Sequence, residues 1–118
     1  RLVRRVCGVC VEPVLPTPSE VALLRHWVGE QPIQLKRGRG CGECHFTGYS
    51  GRMAVVEMLE MREDVADALR RQEMSGVVQA ARQQAGYVPL HRSALAYALQ
   101  GRTTLEEAMR LMEGEDLL

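Results

Sequence analysis

Aromatic residues are scarce in this chain: one tryptophan, one phenylalanine and three tyrosines make up 4% of its 118 residues. A core here must rest on leucine, valine, alanine and methionine, and the length encloses one modest domain or two small modules. No apolar run approaches the roughly 20 residues of a membrane-spanning helix, and no signal-peptide pattern opens the chain, so direct membrane insertion is not expected. Net charge is also absent, with 15 basic residues balancing 15 acids. That balance argues against nucleic acid as a partner, because basic excess supplies most of such affinity. Catalytic signatures are missing: there is no Gly-x-x-x-x-Gly-Lys-Ser/Thr phosphate loop, no His-Glu-x-x-His, and no nucleophile beside a base. No catalytic and no nucleotide-binding residue is expected in these positions. The chain opens on "RLVRR" without an initiator methionine and reads as a piece of a longer protein.

Cysteine is sparse but ordered. The four cysteines form two C-x-x-C pairs, Cys7-Gly-Val-Cys10 and Cys41-Gly-Glu-Cys44, with none left over. A C-x-x-C turn points both sulfurs one way, and two facing turns make a tetrahedral S₄ cage of the kind zinc accepts. Cys7, Cys10, Cys41 and Cys44 are therefore the expected ligands of one structural Zn²⁺, whose filled shell leaves no position for a catalytic water. Three other readings use the same residues. A disulfide framework needs an oxidising compartment, a thioredoxin-like pair needs one C-x-x-C in a βαβ setting, and an iron–sulfur cluster also takes four thiolates. His45, next to Cys44, reads as a surface imidazole beside a filled shell; His26 and His91 fall on helices and read as structural.

The second pair lies in "RGRGCGECHFTGYSGR", residues 37–52, with five glycines and three arginines. Glycine in a helix interior costs about 1 kcal/mol against alanine, so this stretch is a tight loop. The half of the chain up to Arg52 has eight basic residues and four acids, the remainder seven and eleven. Arg4, Arg5, Arg37, Arg39 and Arg52 flank the cysteines and are expected to offset the tetrathiolate charge.

The expected fold class is α+β. Thr17, Pro18 and Glu20 fit a capping box opening a helix that Gly29 ends. "IQLKR" from Ile33 alternates as a strand, and "RMAVVEML" reads as its return strand, a β-hairpin with the glycine loop at its tip. Beyond Glu60 come four short helices. The first carries acids at its start and arginines at its end. The second aligns Val77, Val78, Ala81 and Ala85, and the third Leu90, Ala94, Leu95, Ala98 and Leu99. The fourth is capped by Thr103 with Glu106 and buries Leu105, Ala108, Met109 and Met112. The expected division is a Cys₄ zinc module over 1–60 and a helical module over 61–118.

"RLVRRVCGVC", "GCGECHFTGYSGRMAVVEML" and "GRTTLEEAMRL" resemble, in order, the C-terminal end of the GspE/PilB family of type II secretion and type IV pilus assembly ATPases. The family's Thr-Gly-Tyr-x-Gly-Arg is matched by Thr47, Gly48, Tyr49, Gly51 and Arg52, and its Gly-x-Thr-Thr-Leu-Glu-Glu by Gly101, Thr103, Thr104, Leu105, Glu106 and Glu107. Met58 stands where leucine is usual, and the "EGEDLL" tail is short. The resemblance implies a hexameric parent ATPase on the cytoplasmic face of the bacterial inner membrane, with ATP and Mg²⁺ bound by a part preceding Arg1. It carries the zinc-ligand role to Cys7, Cys10, Cys41 and Cys44, and it implies the inner-membrane platform or other assembly proteins as partners. The alternative from a different class is a stand-alone zinc-ribbon-like adaptor that binds protein or nucleic acid.

Overall fold

The computed structural model describes residues 1–112; the "EGEDLL" tail lies outside the described residues. The elements run β1 (Leu2–Val6), β2 (Val11–Val14), α1 (Pro18–Val28), β3 (Leu35–Gly38), β4 (Tyr49–Ala54), α2 (Glu63–Arg70), α3 (Met74–Arg82), α4 (Leu90–Leu99) and α5 (Leu105–Arg110). The fold is α+β, as its sequence indicates. By its contacts the chain forms two compact units, Arg1–Val55 with the stretch from Leu90 onward, and Val56–Pro89.

In the first unit the strands make two antiparallel pairs. β1 lies against β4, with Leu2 opposite Ala54, Val3 opposite Met53 and Arg4 opposite Arg52, and a bulge follows Arg4. β2 lies against β3, from Val11 opposite Gly38 to Val14 opposite Leu35. The expected hairpin of β3 with β4 is not made. Each of these strands takes its partner from the N-terminal end of the chain instead. A sequence pattern marks strands but not partners, because both pairings satisfy the same alternation.

α1 begins as the sequence indicates. The Thr17 hydroxyl accepts the Glu20 N–H at 3.2 Å, and the Glu20 carboxylate accepts the Thr17 N–H at 2.8 Å. Gly29 closes the helix with φ of 64°. Its one fully buried residue, Leu24, joins Val3, Leu35 and Val55 in a core completed by Leu90, Ala94, Leu95 and Ala98 of α4 and Leu105 and Ala108 of α5. α4 and α5 thus belong with the strands rather than with α2 and α3, unlike the division expected at residue 60. The reason is area. β1 buries only Val3 fully, and β2 and β4 bury nothing fully. Leu95 and Leu111, each at 1% exposure, contribute about 1.5–3 kcal/mol apiece by leaving water.

α5 starts one residue later than expected. Thr104, not Thr103, is its cap and accepts the Glu107 N–H at 3.2 Å. Met109, expected in the core, is 39% exposed, whereas Glu107 is buried.

The second unit is a helix pair with its own small core of Val65, Ala68, Val77 and Ala80. Gly76 permits the approach, since a Cβ there would stand 3.2 Å from the Ala68 Cβ. On α3 the inward face is Val77, Ala80 and Ala81; Val78 and Ala85, expected inward, are exposed. Gln84 takes the inward place beyond the helix. Its amide accepts the Glu60 N–H at 2.8 Å and donates to the Glu60 carbonyl at 2.7 Å, as a strand neighbour would. Among the described residues no helix is long and apolar enough to cross a membrane.

Candidate metal centre

The two C-x-x-C turns sit at equivalent places in the topology. The first joins β1 to β2 and the second joins β3 to β4, so each carries the chain from one strand pair to the other. Facing each other there, they bring all four Sγ atoms within 4.8 Å of one another. Cys7 and Cys41 are 3.8 Å apart, Cys10 and Cys44 3.8 Å, and Cys41 and Cys44 3.7 Å. A tetrahedron with metal–sulfur bonds near 2.3 Å has edges of about 3.8 Å. All four cysteines are free, at separations far beyond the roughly 2.05 Å of a disulfide. Four thiols in this arrangement are positioned to hold a metal ion, and the soft S₄ donor set fits zinc.

The glycines allow the second turn to reach the first. A Cβ on Gly38 would lie 2.1 Å from the Gly48 carbonyl oxygen, and one on Gly48, at φ +81°, would lie 2.5 Å from that of Gly38. Two backbones cross there with no room for a side chain. The crossing is tied by the Cys7 N–H donating to the Gly48 carbonyl at 2.9 Å and the Arg39 N–H to that of Cys10 at 3.1 Å. After Cys44 the chain reverses through His45 and Phe46, both left-handed, with φ of 54° and 63°. His45 is exposed, a surface imidazole beside the four cysteines.

Backbone amides point into the sulfur cluster. The Cys41 and Gly48 N–H groups donate to Cys44 Sγ at 3.3 and 3.2 Å, and the Gly40 N–H to Cys10 Sγ at 3.3 Å. Burial raises a thiol's pKa, but at Cys44 the amides of Cys41 and Gly48, together with the neighbouring thiols of Cys41 and Cys10, outweigh it and lower the value to about 6. At Cys10 burial prevails over the single amide of Gly40, and the thiol is pushed up to about 11.

The charge account assigned to the arginines needs correction at Arg4. Its guanidinium does not face the sulfurs but donates to Glu107 Oε1 from Nε at 3.1 Å and Nη2 at 2.9 Å, while its backbone N–H donates to Oε2 at 2.8 Å. Arg110 Nη2 adds a bond to Oε2 at 3.0 Å. Burial favours protonation of Glu107, yet these donors hold its carboxyl below the ordinary range. Arg4 also lies over the Tyr49 ring at 4.0 Å. The Tyr49 hydroxyl meets the Thr104 hydroxyl at 2.8 Å, and the Thr103 hydroxyl donates to the Arg4 carbonyl at 2.7 Å. The sequence reading missed this network. Its only trace was the two adjacent glutamates of "TTLEE", one of which must turn inward on a helix with a broad apolar face.

The three segments that carried the family resemblance therefore meet in one place: "RLVRR" through Arg4, "TGYSGR" through Tyr49 and "GRTTLEE" through Thr103, Thr104 and Glu107. Residues 1–110 match the family described as Type II/IV secretion system protein. The chain belongs to that family. It is 38% identical over 112 residues to the type IV pilus assembly ATPase PilB of Thermus thermophilus, covering 92% of this chain and 12% of that protein. To the type II secretion system protein E of Pseudomonas aeruginosa it is 34% identical over 115 residues, 98% of this chain and 22% of the relative. The protein of the same name from Klebsiella pneumoniae is 36% identical over 116 residues, 96% of this chain and 22% of the relative. The chain thus spans less than a quarter of the length of each of these secretion-family relatives.

Proposed function

We propose that Cys7, Cys10, Cys41 and Cys44 hold one structural zinc ion, and that the chain serves within a secretion or pilus-assembly motor ATPase. In this reading a preceding part of the parent, acting as a hexamer, binds ATP and Mg²⁺. The zinc module stiffens the motor and docks with, or passes motion to, the membrane assembly platform on the cytoplasmic face of the inner membrane. The observation that carries the zinc assignment is the set of sulfur separations near 3.8 Å. When bound, zinc would supply cohesion and no reaction chemistry, because four protein ligands fill its shell. Cohesion is what this region needs: the segment from Val6 to Gly51 fully buries just Cys7, Cys10, Leu24, Leu35, Cys44 and the backbone of Gly48. Family membership supports the motor reading over a stand-alone adaptor.

Two measurements test the proposal. Elemental analysis of protein purified without added metal should give one zinc per chain; iron in its place, or a Cys7–Cys10 disulfide, rejects the zinc assignment. In the full-length parent, Cys41→Ser should stop secretion or piliation while Mg-ATP binding persists. Unimpaired secretion with the zinc lost would reject the mechanical role.

A further inference from the structure

Outside the sulfur cluster, the first unit has a cleft of about 620 Å³ lined by Leu2, Arg4, Thr47, Tyr49, Arg52 and Arg110, with Gly51 at its wall. Its charge is one-sided. Arg4 and Arg52 are direct cross-strand partners in the β1–β4 ladder. Such partners project on the same face, and like charges placed directly opposite are unfavourable. Val3, between Leu2 and Arg4, faces the core, so Leu2 and Arg4 face away from it into the cleft. Arg110 completes the set from α5.

Among the described residues the single carboxylate against these arginines is Glu107, and its capacity is spent: both oxygens are occupied by Arg4 and Arg110. The Arg52 side chain makes no ion pair or hydrogen bond among the described residues and is exposed. Arg4 and Arg110 are about half exposed, at 49% and 51%, so neither is consumed by its contact with Glu107. Among the described residues, three guanidinium groups and one carboxylate leave two positive charges uncompensated.

We propose that this cleft is a binding site for a phosphomonoester dianion. Two charges match the deficit. A phosphoryl group with three free oxygens can engage several guanidinium forks at once, which a single carboxylate cannot. The Arg4 guanidinium, held by Glu107 through Nε and Nη2 and stacked on Tyr49 at 4.0 Å, is fixed in advance with Nη1 left to donate, so less side-chain freedom is lost on binding. A phosphodiester, whether a lipid headgroup or a nucleic-acid backbone, carries one charge and two free oxygens and fits less well. Arg52 is the residue on which occupancy depends, because no side chain among the described residues engages it.

The test uses the metal-loaded chain at about pH 8, where methyl phosphate is a dianion. Methyl phosphate should raise the melting temperature saturably, above the effect of chloride at matched ionic strength. Dimethyl phosphate should bind at least about tenfold more weakly. Arg52→Gln should lose at least about tenfold in methyl phosphate affinity, with unchanged metal content and melting in chloride. Arg52→Lys, which keeps the charge but not the fork, is the second variant and should fall between. Equal stabilisation by chloride, equal binding of dimethyl phosphate, or retention of full affinity in both variants would overturn the proposal. So would Arg52-dependent capture on phosphatidylglycerol vesicles without any response to methyl phosphate, which would assign the cleft to a lipid headgroup.

Discussion

Glu107→Gln removes one charge from the most buried carboxylate among the described residues and keeps its shape. The side chain is 2% exposed and accepts four hydrogen bonds from Arg4 and Arg110. Breaking a fully buried pair from one side costs about 3–5 kcal/mol. Here the arginines are half exposed and regain water when released, so much of their share is recovered. What is not recovered is the Arg4 backbone N–H, whose acceptor weakens, and the glutamine NH₂, which turns a donor toward donors. The expected loss is about 2 kcal/mol, with about 3 for Glu107→Ala, where a cavity is added. For a unit of this size, 2 kcal/mol lowers the melting temperature by roughly 8–16 °C.

The pH dependence fixes the sign. Glu107 is held below its unfolded value, so its contribution is complete above that value and disappears as pH falls through the folded one. The melting-temperature gap between wild type and Glu107→Gln should therefore stay constant from neutral pH down to the ordinary carboxylate range of about 4 and begin to close only below it. Both proteins would be compared at equal metal content, by circular dichroism. A difference under about 0.5 kcal/mol at pH 7, or a gap that widens in acid, would refute the account of α5 docking on β1.

Three further outcomes are expected. Cys41→Ser should abolish stoichiometric zinc, and hydrogen exchange should show protection lost in β1 to β4 and also in α4 and α5, which share the core of Val3 and Leu24, while α2 and α3 keep theirs; protection retained in α4 and α5 would contradict that shared core. Gly48→Ala should destabilise by more than about 2 kcal/mol and lower metal content, since its Cβ would meet the Gly38 oxygen at 2.5 Å in a conformation L-residues rarely adopt, whereas Gly42→Ala, facing open space, should melt like wild type. Gln84→Ala should cost about 1–3 kcal/mol by releasing both backbone groups of Glu60, read as faster exchange in α2 and α3 with zinc content unchanged.

What the sequence determined by itself was whatever depends on local spacing. Two C-x-x-C turns define a four-sulfur site wherever they meet, and Thr17 with Glu20 defines a helix start, because each device closes within four residues. The α+β class and the family followed from such local marks. Partner choice did not, because alternation in "IQLKR" and "RMAVVEML" is blind to which strand lies opposite. Thus β3 found β2, and β4 found β1. The face of α3 also escaped, since Val78 and Ala80 are both apolar and only the neighbouring helix decides which of them is covered. The role of Arg4 was invisible for the same reason. Its partner Glu107 is distant in sequence, and only the docking of α5 on β1 brings a buried carboxylate to an arginine that local charge counting had assigned to the sulfurs.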